Sequence, residues 1–144
     1  MKINKNQMLP TFGDTITILN KLKAIHSASK MDIWKKTVLD NCFFSSQAVR
    51  NIKGTTVTMG NNFICRVPKN KDYSPYNEWS KDLTGFTFST GDFIVNGIVT
   101  EEIIDANNIK KIIEQYKPNT FEIRFFKDNT NSIPLLAHYH LGGV

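Results

Sequence analysis

A chain of 144 residues with 40% hydrophobic and 22% charged residues is one ordinary domain, long enough to bury a core without staples. Its formal charge of +5 points to acidic partners, nucleic acid or an acidic protein face, although the eighteen Lys and Arg are scattered in pairs such as Lys35-Lys36 and Lys110-Lys111 rather than gathered in one stripe. Two cysteines, Cys42 and Cys65, are too few for a four-ligand zinc site or a secreted disulfide scaffold, and no stretch approaches the roughly 18 apolar residues of a membrane span.

The N-terminal MKINKNQMLP lacks the apolar core of a signal peptide, so a cytoplasmic protein with reduced, buried cysteines is expected. Residues 1–9 read as a polar arm, followed by a single β-rich domain over 10–144. Asp14–Leu19 alternates Ile16 and Ile18 with Thr15 and Thr17 and is the first expected strand. Lys21–Asp32 fits a hairpin connection to a second strand, Ile33–Phe44. Ser45–Gly54 is polar, anchored by Val49 and Ile52 and closed by a turn at Gly54. Thr55–Met59 is a short strand, Gly60-Asn61-Asn62 has turn chemistry, and Phe63–Val67 is a strand that Pro68 ends.

Lys69–Gly85 is the least regular stretch and carries Tyr73, Tyr76 and Trp79. A long loop with three large aromatics packs them on its own domain or on a neighbouring subunit. Phe86–Glu102 reads as a hairpin, with Phe86 and Phe88 on one sheet face, a Thr90-Gly91-Asp92 turn, and Gly97 making a bulge or a tight bend in the second strand. Asp105 is placed to cap a helix whose Ile109, Ile112, Ile113 and Tyr116 share one face, and Lys117-Pro118 stops it. Thr120–Lys127 is a further strand, Asp128–Asn131 a turn and Pro134–Leu141 the last strand, with Gly142-Gly143-Val144 fraying. The expected fold is mainly β with one helix: a barrel or sandwich of six to eight strands, decorated by a helix in the C-terminal half.

Chemistry is sparse. His138 and His140 share a strand face and His26 could be a third metal ligand, but no HExxH or CxxC spacing accompanies them, so no metal or other cofactor is expected. Asp92, Glu101, Glu102 and Asp105 sit at a turn and ahead of a helix, where acids serve capping rather than acid–base catalysis. Ser27 and Ser45-Ser46 lack a nucleophile elbow, and no enzyme is expected. Phe63-Ile64-Cys65-Arg66 and Ile123-Arg124-Phe125-Phe126 suit a nucleic-acid-binding β platform, yet a sheet with one buried and one solvated face gives the same alternation and is the preferred reading.

From Met8 onward the order and spacing of Met8-Leu9-Pro10-Thr11-Phe12, Asp14–Ile18, Thr37-Val38-Leu39, Asn41-Cys42-Phe43, Arg66-Val67-Pro68, Glu78-Trp79, Thr90-Gly91-Asp92, Ile94-Val95 and Gly97 resemble a family of small structural proteins. That family is encoded by tailed phages and prophages of Gram-positive hosts, in the gene block for head–tail joining. The likeness spans about Met8–Val99 and is also similar to head-closure (stopper) proteins of the neck. The resemblance implies a virion protein, assembled in the host cytoplasm as a homo-oligomeric ring. It would join a portal or adaptor protein to a tail terminator or tail tube protein around passing DNA, with no membrane and no catalysis; a tail terminator ring is the alternative. In that setting Tyr73, Tyr76, Trp79, Met8 and Leu9 are the expected subunit contacts, and Lys69 and Lys71 the expected contacts to DNA or an acidic partner. A free nucleic-acid-binding module is the alternative outside the virion class.

Overall fold

The computed structural model describes residues 13–103, 106–131, 133 and 136–144. Six antiparallel strands, Asp14–Leu22 (β1), Ile33–Lys53 (β2), Thr56–Pro68 (β3), Phe93–Asn96 (β4), Thr120–Asn129 (β5) and His138–Gly143 (β6), close into a barrel in the order β1-β2-β3-β6-β5-β4. Two helices, Tyr76–Asp82 (α1) and Ala106–Tyr116 (α2), decorate it. The mainly-β barrel expected from the sequence is therefore the fold, with one helix more than expected.

Alternation explains the barrel interior. Ile16 and Ile18 of β1, Cys65 and Val67 of β3, Ile123 of β5 and Leu141 of β6 all point inward and are buried. A second core lies outside the barrel wall, where Leu19 and Val95 meet Val99 and the Ile109 and Ile112 face of α2, with Ile113 and Tyr116 at its margin. Both faces of β1 and β4 are thus covered, which is why β4 reads Phe-Ile-Val and why Thr17, Leu19 and Asn20 are buried along with the inward Ile16 and Ile18. Thr17 is buried there too, donating its hydroxyl to the Gly97 carbonyl at 2.7 Å and accepting from the Val99 N–H at 3.1 Å.

Four expectations are corrected. First, Phe86–Asp92 is not a strand paired with β4, since β4 pairs with β1 and β5 while Phe86 makes one isolated bridge to Tyr73. The Asn20 amide replaces the missing ladder: its Nδ2 donates to the Thr87 carbonyl at 2.7 Å and its Oδ1 accepts from the Thr87 N–H at 3.4 Å. The segment crosses the barrel with Phe86 and Phe88 plugged into the core. Second, Gly60-Asn61-Asn62 lies inside β3, and the turn is at Gly54-Thr55, where Gly54 takes a φ of +62°.

Third, the stretch from Lys69 to Gly85 holds α1, which ends with Leu83 at a φ of +58° and its N–H on the Trp79 carbonyl. Fourth, Gly142 and Gly143 do not fray. They are buried in β6, where a Cβ on Gly143 would overlap the Glu122 carbonyl oxygen and one on Gly142 the Phe125 ring. Of the bulge and the tight bend expected at Gly97, the structure has the bend, at a φ of +125°, and it ends β4. The expected arm at 1–9, the Asp105 cap and Pro134 lie outside the described residues.

Candidate functional site

The feature with most surface to offer is the far end of the β2–β3 hairpin. Pairing of β2 with β1 starts at Cys42, and pairing of β3 with β6 starts at Phe63. Beyond those points the two strands pair only with each other, from Gln47↔Asn62 to Lys53↔Thr56. At about 3.4 Å per residue this ribbon projects roughly 24 Å from the barrel. Among the described residues neither outer edge has a third strand, so both present backbone donors and acceptors that no described strand pairs.

Its side chains follow the pleat. Cys42 and Phe44 face the core, so Ala48, Arg50 and Ile52 continue that inner face along the ribbon, opposite Asn61 and Val57 on β3. Ile52 and Val57 pair directly and are 66% and 47% exposed. Gln47–Asn62 contains Arg50 and Lys53 and no carboxylate. A two-stranded ribbon standing alone in water is marginally stable, and its tip leaves Ile52 and Val57 exposed.

The residues expected at a subunit contact fall out differently. Trp79 is 1% exposed and its indole N–H donates to the Gly85 carbonyl at 3.3 Å, so its surface is used within the domain. The Tyr73 ring packs 4.5 Å from Tyr139 and 5.5 Å from Phe88, at one end of the core. Tyr76 stays nearer the surface, its hydroxyl 2.8 Å from His26 Nδ1 and accepting from the Lys23 N–H at 3.2 Å. Lys69 and Lys71 are exposed in the β3–α1 connection, where the Lys69 N–H reaches the Ala137 carbonyl. Met8 and Leu9 lie outside the described residues.

The candidate catalytic and metal groups are not brought together. His26 is tied to Tyr76, while His138 and His140 sit on β6 with ring centroids 6.3 Å apart. Among the described residues no three His, Cys, Asp or Glu side chains could hold a metal ion. Glu101 accepts from the Tyr116 hydroxyl at 2.7 Å and the Gln115 amide at 2.9 Å; those bonds hold its carboxyl below the usual range and clip α2 to the loop before it. Cys42 and Cys65 are free and buried, and burial pushes the Cys42 thiol up to about 12. Such thiols stay protonated and inert.

Three groups that organise the molecule were not singled out for these roles by sequence reasoning. Asn20 is an unremarkable strand residue until the fold sets it beside Thr87. Lys35 donates to the carbonyls of Leu83 and Gly85, and Lys36 to those of Val99 and Glu101, so a pair that reads as solvated charge in fact fastens one loop on each side of β2. A cleft of about 550 Å³ between α2 and β5 is lined by Phe93, Ile113 and Phe121, with Lys117 at its rim engaged by Glu114 at 2.8 Å.

Fold and surface together define a small closed-barrel protein whose largest unpartnered feature is a protruding ribbon. The chain belongs to DUF6751, a family of unknown function whose model matches residues 11–144. No curated protein and no solved structure matches it.

Proposed function

We propose that this protein is a non-enzymatic ring subunit of a tailed-phage neck, a head-completion or stopper-like connector between the portal side and the tail. The observation that carries the reading is the β2–β3 ribbon: a rigid barrel bearing a projecting arm with two open edges and an exposed Ile52–Val57 tip. Closed rings need such a division of labour, in which a stiff body sets the subunit angle and an extension reaches the next copy. The sequence resemblance to phage joining proteins supplies the setting. Phage, portal and tail are carried by that resemblance alone.

The test is to purify particles of the phage or induced prophage that encodes the chain and to quantify it by mass spectrometry, alongside light scattering of the isolated protein. Several copies per particle, located at the head–tail junction, are expected. Replacing residues 47–62 by Asn-Gly should leave filled heads that fail to join tails. Absence from purified particles would overturn the proposal.

A further inference from the structure

The outward face of the β3-β6-β5 sheet collects groups that the sequence scatters. Register sets Arg66 of β3 opposite His140 of β6, and His140 opposite Lys127 of β5, in one row. Phe43 of β2 pairs with Arg66 and extends the row, its ring centroid 5.2 Å from the guanidinium. His138 adds a second imidazole 6.3 Å from His140.

Beside the row lies a ring held flat. The Phe125 ring occupies the space that a side chain at Gly142 would take, and it stacks on His140 at 5.7 Å and 26°. It is nonetheless 49% exposed, so the side turned away from the sheet faces solvent. The exposed aromatic is thus built into the wall, seated by a glycine that has no other visible reason to be there.

Among the described residues no carboxylate is paired with Arg66 or Lys127. His140 is held below its ordinary range first by burial and then by Arg66, Lys127 and His138, all on the same face. Asp128, the neighbour of Lys127, bears instead on Tyr73 and Tyr139 at the core end. Glu122 is engaged by Arg124 at 2.8 Å. Two cations, Arg66 and Lys127, with the His140 imidazole between them and a half-open ring beside them, are complementary to a phosphate chain with an unpaired base.

We infer that this face binds single-stranded nucleic acid, with phosphates along Arg66, His140 and Lys127 and a base stacked on Phe125. The inference goes beyond the neck reading and does not depend on it, since a barrel found in no virion would carry the same face.

Fluorescence anisotropy of the full chain with a labelled oligothymidylate tests it. Of the three phosphate contacts only Arg66 and Lys127 are charged at neutral pH, so affinity should fall about sevenfold between 50 and 200 mM salt. In Arg66→Gln/Lys127→Gln almost all of that salt dependence should disappear. Phe125→Leu should weaken binding about tenfold without altering the salt dependence. Lys110→Gln/Lys111→Gln, the same charge change on the exposed side of α2, should leave affinity within about twofold. The single Lys127→Gln variant, at an exposed position, keeps the test valid if the Arg66 change impairs folding, and should still weaken binding and reduce the salt dependence. No binding at 50 mM salt would overturn the inference. So would equal loss in the α2 variant, or tighter binding to duplex DNA or to polyglutamate than to the single strand.

Discussion

Asp92 is buried, yet its carboxylate accepts three hydrogen bonds, from Asn20 Nδ2 at 2.8 Å and from the N–H groups of Lys21 and Ser89 at 3.1 Å each. Desolvation outweighs these donors and raises its pKa from 3.8 to about 6. A carboxyl raised on folding favours the folded state fully below its unfolded value, and that contribution is lost as pH rises through about 6. Relative to Asp92→Asn, which does not titrate, the wild type should therefore gain about 2.5 kcal/mol of stability between pH 7 and pH 3.8, read from urea midpoints. Asp92→Ala should cost about 3 kcal/mol at pH 5, because it strands buried donors on β1 and on Ser89. Thr87 makes the opposite case: its hydroxyl is buried with no partner among the described residues, so Thr87→Val should raise stability by about 1 kcal/mol in the same assay.

At the scale of elements, legibility followed burial. The inward residues of β1 and the Ile109, Ile112, Ile113 and Tyr116 face of α2 could be read from periodicity because each element presents an apolar face to a core. The ribbon could not. Both of its faces meet water, so the period of two disappears from Gln47–Asn62, and the Gly and Asn residues inside β3 imitate a turn. The path of Phe86–Asp92 was hidden for another reason, since the Thr87 backbone is satisfied by the Asn20 side chain and that of Phe86 by Asp72 and Ser74, partners that no local pattern announces. Because barrel pairing resumes only at Phe63, excising residues 47–62 and closing the hairpin with Asn-Gly should move the thermal midpoint by less than about 5 °C. Limited proteolysis of the isolated chain should cut first at Arg50 or Lys53.

For the molecule as a whole, composition and strand count indicated a small β-rich domain, and the structure supplies the closure that they could not. Closure depends on β6, the final strand, which joins β3 to β5 and has room to do so because Gly142 and Gly143 carry no side chains. Gly143→Ala should therefore damage the fold more than Gly142→Ala: the first meets the Glu122 backbone, the second a Phe125 ring that can swing into solvent. Soluble yield and melting midpoint of the two variants would show that order. The candidate surfaces were less legible than the fold, because the ribbon's open edges and the Arg66–His140–Lys127 row exist only through pairings between strands distant in sequence.

One stave of this barrel, with four residues, is the shortest of the six. Between the buried Asp92 network and the bend at Gly97, β4 offers only Phe93, Ile94 and Val95 to β5, with single backbone bonds at Asp92 and Asn96 extending the seam. If the wall ever gapes without the whole domain melting, it does so there, with α2 moving as the shutter because it rests on Val95. Deuterium should accordingly enter the amides of Ile94 and Phe121 well before those of Cys65 and Leu141 on the opposite side.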